Sequence, residues 1–304
     1  MWGASAGFAG AFMNPFTIGV AQSVAELPLF SGIEFRLIVW LAFTAIAIHH
    51  VLSYASYASR VKRDPKASIV ADIPYEEAGL TQGTGEVKLS TRQKLVLLSF
   101  MATFAVLVYG VLEYGWYIDE ISALFMASAI VTGFIARMHP NDIVKYFIKG
   151  AASLTYGALL VGFARTIAVI LREGRILDTI VYMLFQPLTG VPHELFGVGV
   201  FLVHIVLDFV ICSGSGKALV TMPVMVPLAD IIGVTRQTVV LAYQFGDGIT
   251  NMIYPTCGIV MATIAMAKIP YDRWLRYILP LAVKLWLTAA VFISIAVIIR
   301  LGPF

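Results

Sequence analysis

The sequence predicts an all-α, polytopic membrane protein with inverted-topology repeats, broken helices and a re-entrant hairpin, the first repeat being truncated. Three observations lead there. Hydrophobic residues are 59% of the 304 and charged residues only 13%, against about 25% charge in a soluble domain. Mean hydropathy is +0.86, and several apolar runs approach or exceed the ~18 residues that suggest a membrane span. The runs are not the alternating ~10-residue segments of a transmembrane barrel. The net charge of +3 excludes little, but its Lys and Arg are scattered or flank apolar runs. That pattern serves orientation in the membrane and argues against nucleic-acid binding. Cys212 and Cys257 lie in apolar context and read as small packing residues rather than as a disulfide. The start lacks a basic n-region and an A-x-A site, so no signal peptide is read.

The elements follow in order. Residues 2–28 are apolar and interrupted at Asn14-Pro15, a pair that breaks helices. Residues 35–58 form a span. Residues 60–93 are a polar linker rich in Lys and Arg, which the positive-inside rule places in the cytoplasm. Residues 95–113 leave the cytoplasm, 113–120 lie outside and 121–136 return. Residues 150–175 carry basic residues at both ends and Gly162-Phe163-Ala164-Arg165 in the middle, which predicts the re-entrant hairpin there. Residues 176–190 are too short to cross and are placed along the surface. Residues 194–212 enter the membrane and meet the break "CSGSGK"; residues 218–232 follow, and together they exceed one span. Residues 237–267 are broken around "FGDGITNMIYPTCG", and 277–299 form a final span. Three parts result: 1–59 as the C-terminal part of a first repeat, 60–93 as linker, and 94–304 as the second repeat.

One unit is written twice. Pro15 aligns with Pro255, and Ala25-Glu26-Leu27-Pro28 with Ala267-Lys268-Ile269-Pro270. Arg36, Ile38, Leu41 and Ala42 then match Arg276, Ile278, Leu281 and Ala282, at a spacing of 240 residues with a two-residue slip at the tetrapeptide. The charge pattern puts Glu26 near the outside and Lys268 near the inside. Such inverted repeats are a hallmark of secondary transporters, whose discontinuous helices meet near the bilayer midplane.

Broken backbone at membrane depth is tolerated only where it is buried in protein or lines a wet cavity. In the second copy the breaks collect Gly162 to Arg165; Ser213, Gly214, Ser215, Gly216 and Lys217; and Asp247, Thr250, Asn251 and Thr256. In the first they collect Ser5, Asn14 and Thr17. Arg165, Asp208, Lys217 and Asp247 would together cost on the order of 10–14 kcal/mol if left unpaired in the membrane. They are therefore expected to pair with one another, with solvent or with a ligand. Half-helix N-termini, serine hydroxyls and Lys217 suit an anion. Asp247, Thr250 and Asn251 suit sodium, or Asp247 a proton. His204 lies four residues before Asp208, one helical turn, which favours a structural His–Asp pair over a proton relay.

"ICSGSGKALVTMPVMVPLAD", "QFGDGITNMIYPTCG" and "MNPFTIGVAQSVAELPLFSG" resemble the anaerobic four-carbon dicarboxylate carrier (DcuC-like) family. Within it they are most similar to the YfcC-like branch, named for basic amino acid antiport. They are similar more distantly to the AbgT-type and divalent-anion sodium symporters of the ion transporter superfamily. The resemblance implies elevator-type symport or antiport of a carboxylate-bearing solute, an amino acid or a four-carbon dicarboxylate, coupled to sodium or a proton, with no cofactor. It implies a site on Asn14, Pro15, Thr17, Ser213, Gly214, Ser215, Gly216, Lys217, Asp247, Thr250, Asn251, Pro255 and Thr256. It also implies a prokaryotic inner membrane and leaves a homodimer open. Only fourteen residues precede Pro15, whereas about 160 lead from Lys94 to Pro255. The first hairpin is therefore expected to lie outside this chain, through truncation, a misplaced start or a separate N-terminal polypeptide.

Rival readings are weaker. An intramembrane serine protease would need His204 to reach a serine of "SGSG". A phosphate loop would need Gly at position 211 and Ser or Thr at 218, where Ile211 and Ala218 stand. Outside the enzymes, the rivals are a non-transporting membrane remnant and a channel, which would conduct without saturation.

Overall fold

A computed structural model describes residues 2–61, 69, 90–116 and 118–302, and among them every regular element is helical. The helices are α1 (Trp2–Ala9), a π-turn (Pro15–Gly19) leading into α2 (Val20–Val24), α3 (Ile33–Val61), α4 (Thr91–Tyr114), α5 (Ile118–Ile135) and α6 (Pro140–Glu173). Then come α7 (Leu177–Phe185), a 3₁₀ turn (Gln186–Gly190), α8 (His193–Val210), α9 (Gly214–Ile232), α10 (Arg236–Thr250), α11 (Gly258–Met266) and α12 (Tyr271–Ile298). Among the described residues five helices, α3, α4, α8, α9 and α12, are long and apolar enough to cross a membrane. The protein is a multi-pass all-α membrane protein. Most of the 60–93 linker lies outside the described residues.

Two compact units are present: Met1–Pro74 with Tyr156–Phe304, and Tyr75–Thr155. In the second, α4 starts on a capping box in which Ser90 and Gln93 satisfy each other's free N–H groups. It packs on α5 through Ser99–Thr132 (3.0 Å) and Thr103–Ser128 (2.5 Å) hydroxyl contacts, the polar glue that apolar helices use where lipid gives no hydrophobic drive.

The hairpin is not where the sequence predicted it. Residues 150–175 lie mostly within the unbroken helix α6, which runs straight through Gly162. The reason is local. A glycine in a helix costs only about 1 kcal/mol, and no proline accompanies this one. Gly162 has open space around a would-be Cβ, so Gly162→Ala is expected to raise stability by about 0.5–1 kcal/mol. A turn at this position would instead lose stability, and thermal unfolding in detergent separates the two.

The chain turns back instead between α8 and α9. Both helices stop around Ile211–Ser213, where Ser213 is extended (φ −154°, ψ 107°). His193, at the start of α8, contacts the carbonyl of Gly233, just past α9, at 3.1 Å. The two arms thus share a base, and the predicted excess of length over one span disappears. The buried face of α8 (Phe196, Val200, Phe201, His204, Leu207) packs along α10, which starts at the same base. The tip meets the break between α10 and α11.

The repeat is visible as geometry. Glu26 (φ 56°) and Lys268 (φ 54°) both adopt left-handed backbone. Each helix end closes identically, by Leu27 N–H to Gln22 O (2.9 Å) and Ile269 N–H to Ile264 O (2.9 Å), the 6→1 bond of a Schellman motif. The helices that follow, α3 and α12, run antiparallel. Phe35 packs on Phe292 with centroids 5.8 Å apart, and fifteen residues on, His50 reaches the carbonyl of Tyr277 at 3.2 Å. Likewise α2 descends against α10 to the hairpin base, where Gln22 donates to Gln237 (3.1 Å) and Arg236 pairs with Glu26 (3.0 Å).

Candidate functional site

Three irregular stretches converge: the first-copy break at 10–14, the hairpin tip at 211–213 and the second-copy break at 251–257. Each exists for a sequence reason. Asn14 caps the π-turn by accepting from Phe16 N–H at 2.9 Å, and Pro15 follows it without an N–H to satisfy. Gly214 sits where a Cβ would lie 2.5 Å from Thr17 Cγ2, so only glycine admits Thr17 against the tip. The second break opens at Asn251 and closes with Cys257 capping α11.

At the junction, Lys217 is wholly buried between two wholly buried carboxylates. Its Nζ lies 2.6 Å from Asp208 Oδ1 and 2.8 Å from Asp247 Oδ1. It also sits 5.9 Å from the centroid of the Tyr243 ring. Asn251 Nδ2 donates to Asp247 Oδ2 at 3.1 Å, and the Tyr243 hydroxyl donates to the Gly214 carbonyl at 2.5 Å. Helices α8, α9 and α10 thus each supply one member of the triad. With both carboxylates ionised the triad carries one net negative charge. Lys217 is therefore already neutralised, and the surplus charge belongs to the acids.

The other predicted residues divide. Ser213 and Ser215 are half-buried at the tip and make no side-chain hydrogen bond among the described residues. Thr17 and Thr256 each hold a buried hydroxyl with no partner among the described residues. Thr250 spends its hydroxyl on the Gly246 carbonyl at 2.6 Å, which removes it from the free donors. Gly216 lies one turn into α9, close to Ser213 Oγ. Arg165 lies in α6; its side chain, like that of Ser5, is outside the described residues. Asp208 finds its cation in Lys217.

Two expectations are corrected. His204 makes no pair with Asp208. Its ring is buried between Phe185 (5.6 Å) and Tyr243 (5.3 Å), and neither nitrogen has a partner among the described residues. Asp208 has turned to the stronger partner, a full ammonium. Nor does His204 hydrogen-bond any serine of the tip, which removes the protease geometry. The cysteines are not separate packing residues: Cys212 at the tip and Cys257 at the break form a disulfide. Spacing within one segment could not pair residues 45 apart, but each abuts a break, and meeting breaks bring them together. Tyr243 was also missed, although it precedes Asp247 by four residues, one helical turn.

Comparison with known proteins places these features in a family. The family model described as "DcuC: C4-dicarboxylate anaerobic carrier" matches residues 1–298. The chain is 34% identical over 281 residues to the Escherichia coli protein named "Putative basic amino acid antiporter YfcC", covering 89% of this chain and 55% of that protein. It is 32% identical over 298 residues to a Haemophilus influenzae protein that carries no functional name, covering 97% of this chain and 58% of that one. The chain thus spans little more than half the length of these relatives. Its fold is similar to that of the Alcanivorax borkumensis YdaH transporter, with a TM-score of 0.50 at 14% identity over 98% of this chain and 70% of that one. The family description and the names of the Escherichia coli and Alcanivorax borkumensis proteins are those of transporters rather than enzymes, and the chain belongs to the DcuC family of C4-dicarboxylate anaerobic carriers.

Proposed function

We propose that the chain forms most of an ion-coupled secondary transporter of elevator type for a carboxylate-bearing solute. The observation that carries this is the meeting of a hairpin tip and two helix breaks around the Asp208–Lys217–Asp247 triad. Buried ionisable groups at membrane depth are expensive and mark solute or ion pathways. The free hydroxyls of Ser213 and Ser215, at the start of α9, suit a carboxylate. Asp247 with Asn251 suits sodium, or Asp247 a proton. With both carboxylates ionised the triad favours an ammonium beside that carboxylate, so an amino acid is the first reading, in line with the name of the Escherichia coli relative. A four-carbon dicarboxylate, which the family description suggests, is the second; it would use only the serine side of the site.

The site would be completed by a first-repeat hairpin supplied from outside these residues, and the assembly would work as a monomer or homodimer in a prokaryotic inner membrane. The competing reading is a fragment that does not transport. Thermal-shift screening of amino acids and dicarboxylates, with and without sodium, identifies the solute. Uptake of that solute into liposomes then tests the site. Asp247→Asn keeps the shape but removes a charge, and is expected to lower gradient-driven uptake at least ~100-fold, the scale of losing one essential charged contact. Unchanged saturable uptake would remove Asp247 from the mechanism.

A further inference from the structure

The disulfide ties together the two pieces of backbone that build the site. Cys212 is half-buried at the hairpin tip, four residues after Asp208; Cys257 is buried at the break, six after Asn251. Asn251 Oδ1 lies 2.9 Å from Cys212 Sγ and 3.1 Å from Cys257 Sγ, yet a disulfide offers it no proton. The opposite end of the same amide donates to Asp247, which holds Lys217. One side chain therefore connects the sulfurs to the triad.

We propose that the Cys212–Cys257 bond is a redox-operated latch: oxidised, it fastens the hairpin tip to the broken helix; reduced, it frees the tip and gives Asn251 two thiol donors. A dithiol reductant supplies the chemistry. Its thiolate attacks the more accessible Cys212 sulfur, the S–S bond breaks, and Cys257 leaves with the electron pair. The Asp208 carboxylate, 3.9 Å from the Cys257 sulfur, disfavours a lasting thiolate, so Cys257 takes a proton from water. The reductant's second thiol then displaces Cys212 as a thiol and departs as a cyclic disulfide, two electrons and two protons having passed to the protein. Both thiols now lie within reach of Asn251 Oδ1. That oxygen is no longer without donors, and the tip is held by hydrogen bonds and the ion triad alone.

The latch itself is independent of what the site carries; only its effect on uptake rests on the transport reading above. The chain has two cysteines in all, so the test is clean. Membranes are blocked with N-ethylmaleimide at lysis, denatured in detergent, reduced with dithiothreitol and treated with a maleimide-polyethylene glycol. Two adducts are expected after reduction and none without it; full blocking at lysis would overturn the disulfide. Hydrogen exchange of the purified chain then reads the latch. Peptides covering 208–217 and 251–258 are expected to exchange at least about tenfold faster after dithiothreitol, as a locally opened segment does. Cys212→Ser and Cys257→Ser, each alone, should match the reduced protein and ignore the reductant. Equal exchange in the oxidised and reduced wild type overturns the proposal whether or not either variant folds. Uptake that is absent in both redox states would count against the transport reading and leave the latch decided by exchange.

Discussion

Lys217→Met is expected to destabilise the protein by about 3–5 kcal/mol, the usual cost of leaving a buried charge without its partner. Methionine fills a similar volume, so packing is nearly conserved and electrostatics dominates. Asp208 and Asp247, both fully buried and each ion-paired with one ammonium at 2.6 and 2.8 Å, would face each other with no cation between them. One of them must then take up a proton or draw in water, opening the tip of the α8–α9 hairpin. Lys217→Met combined with Asp208→Asn and Asp247→Asn removes all three charges and is expected to recover most of the loss, since neutral replacement of a whole buried ion cluster is often close to neutral in stability. Denaturant or thermal unfolding in detergent measures both. A single variant within about 1 kcal/mol of wild type would mean that the triad is more hydrated than its burial implies.

Gly248→Ala is the second large effect. A Cβ at Gly248 would lie 2.4 Å from Ala9 Cα and 3.0 Å from Ala9 N. Those are backbone atoms, so no rotamer change can relieve the contact and α1 must move away from α10. The expected loss is about 1–3 kcal/mol, the range for overpacking a dense interior. Displacing α1 also strips Gln244 Nε2 of its 2.6 Å bond to the Phe8 carbonyl. Gly7→Ala is the matched control on α1, because a Cβ there meets open space; it is expected to be neutral or to gain about 0.5–1 kcal/mol. If the two substitutions behave alike, the close crossing of α1 and α10 is not formed.

The parts of this architecture that rest on covalent chemistry were legible in the sequence. Asn-Pro and clustered glycines marked the breaks at Asn14-Pro15, at the "CSGSGK" stretch and before Cys257, although Pro223, Pro227 and Pro280 lie inside α9 and α12 without ending them. The repeated tetrapeptide was legible as repetition but not as a Schellman close, because Glu26 and Lys268 hold the left-handed position that glycine usually takes. What could not be read was which breaks turn the chain around. Gly162 and Ser213–Gly216 look alike as local interruptions, and the difference lies in what surrounds them. Gly162 has no neighbour to require its missing side chain, whereas Gly214 has Thr17 pressed against it from about two hundred residues away. The ion triad was half legible: four costly charges had to find partners, but their pairing depends on the hairpin's placement, and the nearest partner in sequence, His204, proved to be the wrong one.

The descent of α2 against α10, and the bond from Gln244 to Phe8 across 236 residues, set an order of events during synthesis. At about 5–20 residues per second a ribosome needs roughly 10–50 s to travel from one to the other. Until then α1 can pack on α3, its other neighbour, while its α10 face has no partner. One face of α1 is thus made long before the helix that covers it, and the packing of α1 is completed only when α10 arrives.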